Sequence, residues 1–148
     1  MAEDIKMLIV DDDESMVRLL TRLISDSFDG RVALNGMIDP VAATHWIEEM
    51  SPELVVTDLE MPKVDGIEIL KCAKKRNPYC QVIIHSGHLS IAILGEAIEL
   101  GASDYVPKSL DQEGLLHSLE YAWCRLQRWR QAFPEIAIPQ SRPAERYA

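Results

Sequence analysis

At 148 residues the chain has room for one domain with a real core. With 47% apolar and 26% charged residues it has the composition of a globular protein, and its net charge of −9 argues against bulk attraction to nucleic acid or to an anionic membrane surface. Cys72, Cys80 and Cys124 are an odd set without CxxC spacing, which favours a reducing, cytoplasmic setting over a disulfide framework. No apolar run approaches the roughly 18 residues of a membrane span, and Glu3, Asp4 and Lys6 interrupt any signal peptide.

IKMLIV (5–10) is the first predicted strand, and Met16, Leu19, Leu20, Leu23 and Ile24 follow at helical spacing. A second strand is expected over 31–37. Asp39-Pro40 then reads as an N-cap acid with proline at the first helical position, opening a helix with Ala43, Trp46, Ile47 and Met50 on one face. LVVT (54–57) is the third strand. A helix over 66–76 stops at Asn77-Pro78. QVIIH (81–85) is the fourth strand, and the helix behind it ends near Leu100, with Gly101 placed for a left-handed C-cap. DYV (104–106) is the fifth, and a long helix begins at about Asp111. From Pro134 the chain carries three prolines and few large apolar residues, which predicts a flexible tail.

Short, almost wholly apolar strands alternating with amphipathic helices predict a (βα)5 domain: α/β, with a doubly wound five-stranded parallel sheet covered on both faces. Ligands of such sheets bind beyond the carboxyl ends of the strands. At that rim the pattern places Asp11, Asp12 and Asp13 after the first strand and Asp58 after the third. It places Ser86 at the end of the fourth strand and Lys108 after the fifth. Each alone has an ordinary reading: a helix cap, a turn acid, a loop hydroxyl, a solvated lysine. Together they are a phosphate and cation site. Adjacent carboxylates about 4 Å apart repel by roughly 4 kcal/mol at an effective dielectric near 20. A divalent ion such as Mg2+, which takes one or two carboxylates plus phosphoryl oxygens, removes that cost. A lysine and a hydroxyl suit the remaining oxygens.

LIVDDDES (8–15), DLEMPKVDG (58–66), VIIHSG (82–87) and GASDYVPK (101–108) occur in this order, and the chain resembles a response-regulator receiver domain of two-component signalling over about residues 5–125. The resemblance implies a flavodoxin-like sheet of order 2-1-3-4-5 and a receiver domain over 1–125; the remaining residues, 126–148, are expected to extend the last helix beyond a normal receiver domain and end in the flexible tail. It also implies Mg2+-dependent acceptance of a phosphoryl group from a histidine kinase or phosphotransfer protein, switching a downstream protein partner. Asp58 would be the nucleophile that is phosphorylated. Asp11, Asp12, Asp58 and the main-chain carbonyl of Glu60 would hold the metal, and Lys108 would pair with the acceptor and then the phosphoryl group. Ser86 and Tyr105 would be the switch pair, and Asp13 a capping acid. Such a domain is not an enzyme beyond transferring and hydrolysing its own phosphoryl group. Glu60 and His88 occupy the positions where the family tunes phosphoryl lifetime, whereas His85 reads as a packed strand residue.

The family carries Lys-Pro where this chain has Lys108-Ser109. Without proline, a cis bond costs roughly 2.5–4 kcal/mol, so this bond is expected to be trans. The rival readings are an Mg2+-dependent small-molecule phosphohydrolase, whose DxD motif DDD formally contains, and a receiver-like interaction module that is never phosphorylated.

In the last helix Leu115, Leu119, Ala122, Leu126, Trp129 and Phe133 step by heptads. A straight helix to about Gln131 would leave Trp129 and Phe133 in water, which predicts a symmetric dimer or a docked partner there. Arg125, Arg128 and Arg130 would then meet acids on the neighbour. The alternative is that the helix bends and the aromatics fold back on their own domain. From Arg125 onward five arginines outnumber two glutamates, a balance of +3 that leaves −12 for the rest.

Overall fold

The computed structural model describes residues 4–88, 90–109 and 112–137. Its elements are β1 (Ile5–Val10), α1 (Glu14–Phe28), β2 (Val32–Met37), α2 (Pro40–Met50), β3 (Leu54–Thr57), α3 (Gly66–Arg76), β4 (Gln81–Ser86), α4 (Ile91–Glu99), β5 (Asp104–Pro107) and α5 (Gln112–Ala132), followed by a 3₁₀ turn at Pro134–Ala137. All strands pair in parallel, in the order β2-β1-β3-β4-β5. After β2, at one edge, the chain crosses over β1 to its other side, so β1 and β3 lie side by side near the centre. Their carboxyl ends form the crevice where such sheets bind ligands.

Two apolar layers sandwich the sheet. Ile5, Met7 and Ile9 of β1 face α1 and α5, against Leu20, Ile24, Leu115, Leu119 and Leu126. Leu8 and Val10 face the other side, with Ile47 of α2 and Ile69 and Leu70 of α3. Helix starts are fixed by side-chain caps. Asp13 accepts the Ser15 N–H at 2.9 Å, Asp39 the Val41 N–H at 2.9 Å and Asp65 the Glu68 N–H at 2.9 Å. Gly101 adopts the expected left-handed conformation, at φ +94°.

Some expected packing differs. The inward stripe of α1 is Val17, Leu20, Ile24 and Phe28, and Leu19 faces solvent. The stretch from Met16 to Ile24 is apolar at enough positions to allow either phase, and Phe28, at the helix end, selects this one. In α2, Met50 is exposed because the helix closes at Ser51 before another turn can bury it.

The largest correction concerns α5. The seam from Leu115 to Leu126 is consumed by the domain's own core. Trp129 is half-buried against that core, with its ring edge-on to Tyr79 at 6.5 Å. Arg130 reaches the half-buried Glu53 at 2.5 Å and Arg125 reaches Gln81 at 2.7 Å. These arginines bind groups of their own domain, and α5 runs as one helix over Gln112–Ala132, so Trp129 is covered without the bend that the alternative supposed. Phe133 remains 58% exposed. Residues 134–137, expected in the flexible tail, form the 3₁₀ turn, and the rest of that tail lies outside the described residues, as does the expected helix start at Asp111. The position 125/126 falls inside α5, with Leu126 in the core.

Candidate functional site

The rim beyond β1, β3, β4 and β5 gathers the chemistry. β1 ends in Val10, and Asp11 follows, almost wholly buried, with Asp12 beside it in solvent. Asp58 caps β3 and is 8% exposed. Its backbone N–H donates to the Val10 carbonyl at 2.9 Å, so the parallel pairing of β1 and β3 sets the acceptor next to the acid pair. One carboxylate oxygen from each of Asp11, Asp12 and Asp58 lies within 4.8 Å of the others, a spacing one divalent ion can span. Receiver domains bind Mg2+ at an acidic pocket of this kind.

Lys108 is delivered by β5, whose register with β4 is held by the Lys108 N–H donating to the Ser86 carbonyl at 2.8 Å. Its ammonium lies 2.8 Å from Asp11 and 3.3 Å from Asp58. The Lys108–Ser109 bond is trans, as expected without proline. Burial pushes the Asp58 carboxyl above its ordinary value, and repulsion from Asp11 adds to this. Attraction to Lys108 and a hydrogen bond from the Leu59 N–H offset it only in part. For Lys108 burial opposes the charge, but its contacts with Asp11 and Asp58 outweigh burial and raise its pKa.

The remaining expected residues are all near this rim. Ser86 is buried at the end of β4, and its hydroxyl accepts the His88 N–H at 3.3 Å. The Tyr105 hydroxyl donates to the His88 carbonyl, which ties the aromatic of β5 to the β4–α4 loop. Glu60 turns its side chain outward, 3.3 Å from His88 Nε2, so the two positions flanking the site meet across its mouth. Asp13 is spent on capping α1. His85 is buried in β4, as a packed strand residue should be. Burial and then Lys108 push its pKa down to about 4, so it is neutral at physiological pH.

Two participants have no signature in the sequence. The Leu59 N–H donates to Asp58 Oδ1 at 2.8 Å, and the buried Thr57 hydroxyl donates to the Asp58 carbonyl at 2.8 Å. The first is a main-chain group and the second a strand threonine, so only the folded geometry singles them out.

The sequence pattern of the family described as "Response regulator receiver domain" matches residues 7–120. The chain is 36% identical over 115 residues to a protein-glutamate methylesterase/protein-glutamine glutaminase of Thiobacillus denitrificans, a match covering 76% of this chain and 32% of that protein. It is 37% identical over 122 residues to the transcriptional regulatory protein ZraR of Klebsiella oxytoca, covering 81% of this chain and 26% of that one. It thus spans about a third or less of these relatives. A response regulator receiver domain protein from Clostridium thermocellum superposes with a TM-score of 0.74 at 26% identity, over 83% of this chain and 97% of that one. Crevice, sequence pattern and relatives agree: the chain belongs to the response regulator receiver domain family of two-component signalling, whose general role is to accept a phosphoryl group.

Proposed function

We propose that Asp58 is the residue phosphorylated in this chain, with Asp11, Asp12, Asp58 and the Glu60 carbonyl holding Mg2+, Lys108 and Ser86 receiving the phosphoryl oxygens, and Tyr105 reporting the change. The observation that carries this reading is Lys108 bridging two buried carboxylates within 4.8 Å of a third. A carboxylate oxygen of Asp58 attacks phosphorus, an O–P bond forms, and the bond to the donor breaks with its electron pair leaving on the donor. Bound Mg2+ would supply charge neutralisation for the phosphoryl oxygens. Lys108 does not need to be imported for this step, since it already lies against the acceptor. As the phosphoryl group forms, its new negative oxygens compete with Asp11 for the ammonium, and the Ser86 hydroxyl can donate to another.

The donor in this reading is a histidine kinase or phosphotransfer protein. The output is a protein partner met on the surface that responds to Ser86 and Tyr105. The setting is cytoplasmic, and the chain's own catalysis is confined to gaining and losing its phosphoryl group. Among the described residues no helix is long and apolar enough to cross a membrane. The phosphohydrolase alternative needs Asp11 and Asp13 as a working pair. Asp13 is engaged at the α1 N-terminus and Asp11 with Lys108.

Incubation with acetyl phosphate and Mg2+, followed by intact mass, tests the assignment. One phosphoryl group per chain is expected, none in Asp58→Asn and none with excess chelator. Equal labelling of Asp58→Asn would refute it.

A further inference from the structure

We infer that the first turn of α3, seated on the Asp58–Leu59 peptide through Gly66, is a positioning device for the phosphoacceptor, and that it works only because residue 66 has no side chain. This rests on the reading of Asp58 as the acceptor.

Gly66 has an ordinary helical backbone, so conformational freedom is not why glycine stands there. Space is. A Cβ at residue 66 would lie 2.2 Å from the Asp58 carbonyl oxygen, 2.8 Å from Leu59 Cα and 3.0 Å from the Asp58 carbonyl carbon. All three are backbone atoms, which cannot rotate aside as a side chain can. The approach is also bonded: the Gly66 N–H donates to the Leu59 carbonyl at 2.8 Å, closing the loop between β3 and α3. Leu59 in turn donates to Asp58 Oδ1. From the strand side the Thr57 hydroxyl donates to the same Asp58 carbonyl that Gly66 covers. The acceptor's peptide is therefore held between Thr57 and the first turn of α3, and Asp65 fixes that turn by capping it.

A methyl group at residue 66 must drive this peptide away by roughly 1 Å, since Cβ contacts below 3.0 Å essentially never occur. The Asp58 carboxylate and the Glu60 carbonyl, on either side of Leu59, move with it. Misplacing a reacting group by about 1 Å can cost on the order of 10²-fold in rate. Gly30 provides the control. It sits in the turn between α1 and β2, at the amino end of the strands and so at the far end of the sheet from the acid rim, with φ +78°, where any side chain is strained although nothing lies within 4 Å of the added Cβ.

Full-length Gly66→Ala and Gly30→Ala should be compared with wild type and Asp58→Asn. The readouts are melting temperature, Mg2+ affinity by calorimetric titration, and the rate of phosphorylation by acetyl phosphate at saturating Mg2+. Both alanine variants should melt lower. In the folded protein only Gly66→Ala should lose rate, by about 10²-fold, and bind Mg2+ several-fold more weakly, while Gly30→Ala keeps wild-type values. A folded Gly66→Ala with wild-type rate and affinity would overturn the inference, as would an equal loss in Gly30→Ala. If Gly66→Ala does not fold, Asp65→Ala decides, because it loosens the same turn without filling the space. A slower rate and weaker Mg2+ binding support the inference, and unchanged values overturn it. Should wild type itself take up no phosphoryl group, the Asp58 reading fails, and the Mg2+ affinities still decide whether Gly66 positions the carboxylate.

Discussion

Lys108 holds its ammonium between Asp11 and Asp58, yet the pKa of Asp58 still stands above its ordinary 3.8 because burial and the neighbouring Asp11 outweigh the lysine. The folded chain therefore binds a proton at Asp58 more tightly than the unfolded chain does. The ionised form costs stability at every pH above the folded value, and that cost vanishes below 3.8, where both states are protonated. Without divalent ions, Asp58→Asn should melt above wild type near neutral pH, and the advantage should close as pH falls below 3.8. Mg2+ should narrow or reverse the difference, since it binds and stabilises the carboxylate form. Calorimetry in chelator, then in Mg2+, reads both. A lower melting point for Asp58→Asn in chelator at neutral pH would contradict the electrostatic account. At this scale the sequence was legible where a residue type carries the chemistry. Asp11, Asp12, Asp58, Ser86 and Lys108 each sit at or just past a strand end, and strand ends are set by apolar patterning. The Leu59 N–H, the Thr57 hydroxyl and the meeting of Glu60 with His88 were not legible, because main-chain donors and loop paths have no pattern of their own.

At the scale of elements, α5 shows what periodicity can and cannot decide. The heptad spacing from Leu115 to Phe133 identified a helix and its apolar side, and the helix runs to Ala132, close to the expected Gln131. Spacing alone could not say which surface would cover that side. Coverage depends on where β4 and the α2–β3 and α3–β4 loops lie, and these place Tyr79, Gln81 and Glu53 under Trp129, Arg125 and Arg130. The Arg130–Glu53 pair is mostly shielded from solvent, with side chains 11% and 15% exposed, and burial pushes the Glu53 pKa up despite the arginine. Removing one partner of such a pair leaves a buried charge, at a cost of about 3–5 kcal/mol. Arg130→Ala should therefore lower stability by that order in urea unfolding. A loss under about 1 kcal/mol would show that the pair behaves as a solvent-screened surface bridge. For the same reason, ending the chain at Arg125 should destabilise the domain and not merely free a docking surface.

For the whole molecule, parallel strand order and helix alternation were readable because each short apolar strand must be covered on both faces. The crossover after β2 then places the first and third strand ends together. The chain holds 24 acidic side chains, several of them in the acid rim or capping helices, and only one is expected to carry phosphorus. Borohydride reduction of the phosphorylated protein converts an aspartyl phosphate to homoserine, which marks the reacted residue permanently for peptide sequencing by mass spectrometry. After treatment with acetyl phosphate and Mg2+, homoserine should be found at position 58 and at no other aspartate. Homoserine at Asp11, Asp12 or Asp13, or none in a protein that has gained a phosphoryl group, would contradict the assignment of Asp58 as the acceptor.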